Sequence, residues 1–233
     1  MKNNLLLRIL LMLGIYFGLT YYGGEWGRIF LFPIRMLVTF LHEFGHAFGA
    51  LITGGDVVNL EVRPDGSGVT WTAGGSRAII LMGGYIGSAI FGNLLFYFGT
   101  RANETVSKIT TYVLAGIMLF SSFGWFTSLF TTGMLVIFAL LLIFIASRTQ
   151  FHSDVLMFFG LASILYIIQD FNVGPSSDLA QYAKIFVVIP ANVWMYIWLA
   201  VALLLFFWNI RLIFKEQSAS GIFFEEEDED SLV

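Results

Sequence analysis

The longest uncharged segment of the chain sets the first limit on its fold. Residues 109–145 contain no Asp, Glu, Lys or Arg. As one helix, with a rise of about 1.5 Å per residue, this segment would be about 55 Å long, whereas the hydrocarbon core of a bilayer is about 30 Å thick. The segment is therefore predicted to cross a membrane twice. The break is expected near residues 121–124, which include two serines and a glycine.

The composition agrees with a membrane protein. Of the 233 residues, 58% are hydrophobic and 12% are charged, whereas a soluble domain has about 25% charged residues. The mean hydropathy is +0.81. The chain has no cysteine, which excludes disulfides and thiolate ligands, so that any zinc site must use His, Asp or Glu. No basic patch suggests binding to nucleic acid.

Apolar segments of about 20 residues predict the remaining membrane crossings. They are residues 5–22, 29–52, 78–99, 155–171 and 191–214. With the two crossings in residues 109–145, they predict an all-α polytopic membrane protein of about seven transmembrane helices. The first segment lacks a cleavage site of small residues, so it is predicted to be retained rather than removed as a signal peptide.

Domain boundaries follow from the same pattern. Residues 1–214 are predicted to form a single transmembrane domain. Residues 215–233 are predicted to be a disordered tail, because residues 225–230 are all acidic and such blocks remain solvated.

A polar stretch after the second apolar segment has a different pattern. Residues 57–62 and 69–72 are rich in β-prone side chains, and residues 63–68 between them are turn formers. Residues 56–72 are therefore predicted to form a small membrane-associated β-hairpin. One interpretation is an exposed surface hairpin. The other is that Val69, Thr70 and Trp71 offer a strand edge to an extended substrate.

The pentapeptide His42-Glu43-Phe44-Gly45-His46 lies inside the second apolar segment. On a helix, His42 and His46 lie one above the other on the same face. Two imidazoles at this spacing can bind one zinc ion, and Glu43 can reach a water activated by it. Ionisable groups are costly in hydrocarbon and usually have a function there. The pentapeptide therefore predicts a zinc site with Glu43 as the catalytic base.

Catalytic zinc usually has a third protein ligand. The one other histidine, His152, is predicted to be a solvated loop residue. His42 lies towards the exit side of its span, and the chain returns to that side after the sixth span, where Asp170 and Asp178 lie. Asp178 is preferred, because residues 172–177 predict irregular backbone that can bring a carboxylate to a metal. Two alternatives stay open: Asp178 as a helix N-cap, and Asp170 as the ligand or as a group that orients a ligand histidine.

Three motifs together resemble the site-2 protease family of intramembrane zinc metalloproteases. They are residues 42–46 in an early span, residues 83–88 in the next span after the hairpin, and residues 177–180 followed by Ile189, Pro190 and Trp194. The similarity is greatest to the small bacterial-type branch without PDZ or CBS domains. The resemblance implies His42, His46 and Asp178 as zinc ligands and Glu43 as general base. The glycines at 83, 84 and 87 also suit close packing of helices.

The resemblance implies a zinc-dependent endopeptidase that hydrolyses peptide bonds in or near transmembrane segments of membrane proteins. The expected partners are such a substrate and the lipid bilayer, and the expected location is the bacterial plasma membrane. A helical substrate must unwind locally, because its peptide bonds are held in i to i−4 hydrogen bonds.

The alternative is a catalytically inactive, protease-like scaffold or chaperone that binds client transmembrane segments. It is favoured by Ser177 and Leu179, because better-studied family members have Asn-Pro before the metal aspartate and Gly after it. An intact Glu43 favours the enzyme, since a scaffold needs no general base. The sequence leaves the oligomeric state and the orientation in the membrane open.

Overall fold

The computed structural model describes residues 5–100 and 103–219, except the side chains of Asp170 and of residues 217–219. This part of the chain forms helices, one π-helical turn and one hairpin. In chain order these are α1 (Leu5–Tyr22), α2 (Gly24–Ile52), β1 (Asp56–Val62), β2 (Gly68–Ala73), α3 (Arg77–Met82), the π turn (Gly83–Gly87), α4 (Ser88–Thr100), α5 (Glu104–Gly124), α6 (Leu129–Arg148), α7 (His152–Asp170), α8 (Asp178–Ile185) and α9 (Ala191–Ala219).

Six helical segments in the described residues are long and apolar enough to cross a membrane. They are Leu5–Tyr22, Arg77–Thr100, Glu104–Gly124, Leu129–Arg148, His152–Gln169 and Ala191–Glu216. The protein is thus an integral, multi-pass membrane protein, and the prediction of an all-α polytopic fold with a small hairpin is confirmed. Helix α9 continues five residues beyond the predicted end at Phe214, and the acidic residues 225–230 lie outside the described part of the chain.

Helix α2 is not one of these six segments, although it is 29 residues long. Arg35 and the ionisable residues of the His-Glu motif lower its hydropathy. The helix packs against α1, α3, α7 and both strands of the hairpin, and Met36, Leu37 and Phe40 are fully buried. From Met36 to Ala50 the predicted second span is therefore largely enclosed by protein, which is how ionisable side chains are tolerated at membrane depth.

The predicted break in the long uncharged segment lies close to where it was expected. Helix α5 ends at Gly124 and α6 begins at Leu129. Ser128 has an extended backbone, and its side chain accepts a hydrogen bond from the Thr131 N–H, as an N-cap does. Between the helices, Trp125 and Thr127 also contact the hairpin, through hydrogen bonds with the backbone of Leu60.

The hairpin is antiparallel, with an irregularity between Val57 and Asn59. The hairpin has one face packed inward and one face exposed: Leu60 and Val62 are 1% and 0% exposed, whereas Val58 and Trp71 are 60% and 42% exposed. The outer edge of β1 is occupied. The Leu60 N–H donates to the Trp125 carbonyl over 3.2 Å, and the Thr131 hydroxyl accepts from the Val62 N–H at 3.2 Å and donates to the Val62 carbonyl at 3.0 Å.

The second strand has its outer edge free of any other strand. In the described residues the sheet has two strands, so β2 pairs with β1 alone. The hairpin also runs back along α2 rather than away from it. Thr39 donates a hydrogen bond to the Gly66 carbonyl over 2.8 Å, and Arg35 donates to the Asp65 carbonyl. This course lays β2 alongside the helix that carries the His-Glu motif.

Glycines allow α2 and the π turn to contact each other through their backbones. A Cβ on Gly45 would overlap the Gly83 carbonyl, and a Cβ on Gly83 would overlap the Gly45 carbonyl. A Cβ on Gly49 would lie 2.9 Å from the Ile79 carbonyl oxygen. The expected role of glycine in close packing is therefore seen at Gly83. π-helical turns inside α-helices are frequent at functional sites.

The prediction that His152 is a solvated loop residue is wrong. His152 is the first residue of α7 and is 1% exposed. Its Nδ1 lies 3.3 Å from the Thr149 carbonyl oxygen. Helix α7 begins three residues earlier than the predicted span. His152 therefore lies in the helix and is buried, rather than in the expected loop.

Candidate metal centre

His42 and His46 lie one turn apart on α2 and point the same way. Their ring centroids are 4.8 Å apart with an interplanar angle of 81°. The two Nε2 atoms are 3.1 Å apart. The helical spacing that the sequence shows thus brings two imidazole nitrogens together in a largely buried place.

Asp178 lies against both imidazoles. Its Oδ2 is 3.0 Å from His42 Nε2 and 3.2 Å from His46 Nε2. Asp178 is the first residue of α8, but it does not cap the helix, because the Ser177 side chain accepts the hydrogen bond from the Ala180 N–H. The irregular segment before α8 and the serine cap together leave the Asp178 carboxylate available to the histidines.

The three donor atoms fit a small tetrahedral ion. Their separations are 3.0, 3.1 and 3.2 Å. Zinc–ligand bonds of about 2.0–2.1 Å at tetrahedral angles place neighbouring donors about 3.3 Å apart. Two imidazoles and one carboxylate are a donor set that zinc accepts, and three protein ligands leave one position open, as in catalytic sites. No other group of three metal-ligating side chains is found in the described residues.

Neighbouring groups act on both kinds of ligand, the imidazoles and the carboxylate. The Nδ1 of His46 lies 2.6 Å from the Ile80 carbonyl oxygen. A hydrogen on Nδ1 that donates to this carbonyl leaves the Nε2 lone pair free for a metal. Without a metal, burial would raise the pKa of the Asp178 carboxyl, but hydrogen bonds donated by the Nε2 atoms of His42 and His46 hold that pKa well below its usual range. A bound metal ion would take the place of those two hydrogens. The carboxylate is therefore ionised, as a ligand must be.

Gly84 in the π turn leaves the space around these donors. A Cβ at this position would lie 2.6 Å from the Nε2 atoms of both His42 and His46. Any larger residue would fill the place where the imidazole nitrogens converge. The second sequence motif thus contributes one glycine to the candidate metal centre and others to helix packing.

Glu43 lies under the hairpin, next to the ligand pair. It is 4% exposed. The Thr70 hydroxyl is 2.8 Å from Glu43 Oε2 and 3.0 Å from the Glu43 carbonyl oxygen. A Cβ on Gly68 would lie 2.5 Å from Glu43 Oε1. The carboxylate is therefore enclosed by the inner side of β2.

Comparison with protein-family models gives one match. The model described as Peptidase M50B-like matches residues 9–209, which include all three motifs. The chain belongs to the Peptidase M50B-like family. The predicted membership of the site-2 protease family is thereby confirmed. Neither the comparison with curated proteins nor that with solved structures gives a match.

In this M50B-like protein an aromatic wall backs the metal-ligand pair. The Tyr85 ring meets the His42 ring edge-on at 4.8 Å and stacks on Phe171 at 4.6 Å. Trp198 lies 6.1 Å from Tyr85 and 4.8 Å from Tyr182. The sequence did not predict this cluster of aromatic rings. The one local sign of the cluster was the position of Tyr85 between the glycines of the second motif.

The other predicted site residues of the M50B-like chain have different outcomes. The side chain of Asp170, the alternative ligand, lies outside the described residues. Val69, Thr70 and Trp71 lie on β2, as predicted. Thr70 contacts Glu43, whereas Trp71 is exposed. The contact between Thr70 and the predicted base was not foreseen.

Proposed function

We propose that this chain is an intramembrane zinc endopeptidase that cleaves peptide bonds in or near transmembrane segments of other proteins. The observation that carries the proposal is the convergence of His42, His46 and Asp178 to within hydrogen-bond distance, beside Glu43, in a peptidase-family chain. The three side chains would hold the ion. When bound there, zinc supplies Lewis acidity that lowers the pKa of water and polarises a carbonyl.

Glu43 moves the proton in this scheme. As the oxygen of a water molecule bonds to the peptide carbon, Glu43 takes the proton that the water loses. As the carbon–nitrogen bond breaks, Glu43 delivers that proton to the leaving amine. The enclosure of Glu43 by β2 and α2 keeps its carboxylate away from bulk solvent.

The free edge of β2 is the proposed platform for the substrate. The outer edge of β1 is sealed by Trp125 and Thr131, so within the described residues β2 offers the open edge of the sheet. This edge belongs to the strand that contacts Glu43. A substrate segment unwound from its helix would add as a strand along Val69, Thr70 and Trp71, and its backbone would satisfy its hydrogen bonds there. The lipid bilayer would present that segment, and the expected location is the bacterial plasma membrane.

The test combines metal analysis with cleavage. Wild type, His46→Ala, Glu43→Gln and a control, Glu25→Gln, are purified in detergent. Glu25 is an exposed residue of the same helix. Zinc is counted, and cleavage is followed with fluorescence-quenched peptides that carry one apolar segment of about 20 residues in lipid vesicles.

The proposal expects about one zinc per chain in wild type, Glu43→Gln and Glu25→Gln, and little in His46→Ala. Cleavage is expected in wild type and Glu25→Gln alone. A wild type that binds zinc and peptides but leaves every peptide intact would instead support the inactive scaffold. Cleavage by Glu43→Gln at the wild-type rate would refute the role of Glu43.

A further inference from the structure

We infer that Thr70 is a positioning residue for the general base, so that the strand proposed to receive the substrate also orients Glu43. This inference rests on the proposed function. It begins from the distance of 2.8 Å between the Thr70 hydroxyl and Glu43 Oε2. The hydroxyl is the donor in this hydrogen bond, and it lies 3.0 Å from the Glu43 carbonyl oxygen as well.

The contact is rigid at its hairpin end. Threonine is branched at Cβ, which restricts rotation about χ1. Thr70 pairs with Leu60 across the sheet. Leu60 is fixed in turn, because its N–H donates to the Trp125 carbonyl over 3.2 Å and its carbonyl accepts from the Thr127 hydroxyl over 2.7 Å. A continuous series of contacts thus joins the α5–α6 connection to the carboxylate of Glu43.

The carboxylate is confined on its other side as well. A Cβ on Gly68 would come within 2.5 Å of Oε1 and 2.6 Å of Cγ of Glu43. The glycine backbone therefore lies directly against one face of the side chain, while the Thr70 hydroxyl holds Oε2. Glu43 cannot swing towards β2, and rotation in the other direction breaks the hydrogen bond to Thr70.

Such confinement matters for proton transfer, because a base acts only from within hydrogen-bond reach of the proton that it takes. Loss of the hydroxyl frees the carboxylate without changing the metal ligands or the backbone edge of β2. The expected result is a lower kcat with an unchanged KM and unchanged zinc content. A misplacement of about 1 Å in a reacting group costs on the order of 100-fold in rate.

The experiment compares Thr70→Val, which keeps the shape and removes the hydroxyl, with Thr70→Ser, which keeps the hydroxyl. Thr72→Val is the matched control, because Thr72 is half-buried and lies on the same face of β2, two residues along. For each variant kcat, KM, zinc content and the midpoint of thermal unfolding are measured with a quenched transmembrane peptide that wild type cleaves. Thr70→Ala replaces Thr70→Val should the valine variant fail to fold.

For Thr70→Val we expect kcat to fall about 10- to 100-fold, with KM and zinc content at wild-type values. Thr70→Ser is expected to recover most of the rate, and Thr72→Val to match wild type. A Thr70→Val variant with wild-type kcat, a change confined to KM, or a serine variant as slow as the valine variant would overturn the inference. A wild type without zinc and without cleavage would remove the proposed function itself, which is a different and separately visible result.

Discussion

Gly84→Ala tests the metal centre by adding one methyl group and changing no ligand. The new Cβ would lie 2.6 Å from the Nε2 atoms of His42 and His46, whereas ordinary contacts begin near 3.4 Å. Each nitrogen would therefore have to withdraw by about 0.8 Å, which is several times the tolerance of about 0.2 Å on a metal–ligand distance. A retreat of the π turn from the histidines would also pull it away from α2 and open the close backbone contact between Gly83 and Gly45.

The affinity for zinc is expected to fall by at least about 10- to 100-fold. This is the loss that follows when a group that hydrogen-bonds a metal ligand is removed. Competition with a chelating dye measures this affinity in detergent. Gly116→Ala is the matched control, because a Cβ there meets no atom within 4 Å and Gly116 also lies in a membrane helix. Native zinc affinity in Gly84→Ala, with normal folding, would show that the imidazole nitrogens do not converge at Gly84.

Further predictions concern the third ligand, the hairpin and helix packing. Asp178→Ala is expected to lose most bound zinc and Asp170→Ala to keep it, as measured by metal analysis; the reverse pattern would transfer the ligand role to Asp170. Thr131→Val leaves two buried backbone groups of Val62 without their partner, and should lower the free energy of unfolding by about 1–3 kcal/mol in a denaturant titration; no change would mean that water replaces the hydroxyl. Gly45→Ala forces α2 and the π turn apart, so it should lower both the unfolding midpoint and the zinc content, and a variant that keeps both would refute the backbone contact.

The sequence predicted the features that depend on local pattern. The absence of charge from residues 109–145 required two crossings, and the break that was predicted near residues 121–124 lies just after them, between Gly124 and Leu129. His42 and His46 were paired by helical periodicity. Asp178 lies 136 residues from His42. Counting the spans predicted that both lie towards the same side of the membrane, but only the structure shows the Asp178 carboxylate at the imidazoles.

The features that the sequence did not reveal depend on contacts between distant segments. Thr70 contacts Glu43 because the hairpin runs back along α2. A β-prone sequence predicts a hairpin but not the direction in which the hairpin packs. Tyr85 reaches His42 from a π-helical turn, whose hydrogen-bond pattern has no clear sequence signature. His152 was assigned to a loop because a shift of three residues in a helix start is beyond what hydropathy resolves.

X-ray absorption at the zinc edge, on purified protein loaded with one equivalent of zinc, shows which atoms bind the ion. We expect a four-coordinate ion with nitrogen and oxygen donors at about 2.0–2.1 Å and the outer scattering of two imidazoles; His46→Ala should lose zinc or show one imidazole. A wild-type protein that retains no zinc, or whose zinc shows no imidazole scattering, would contradict the assignment of His42, His46 and Asp178 as its ligands.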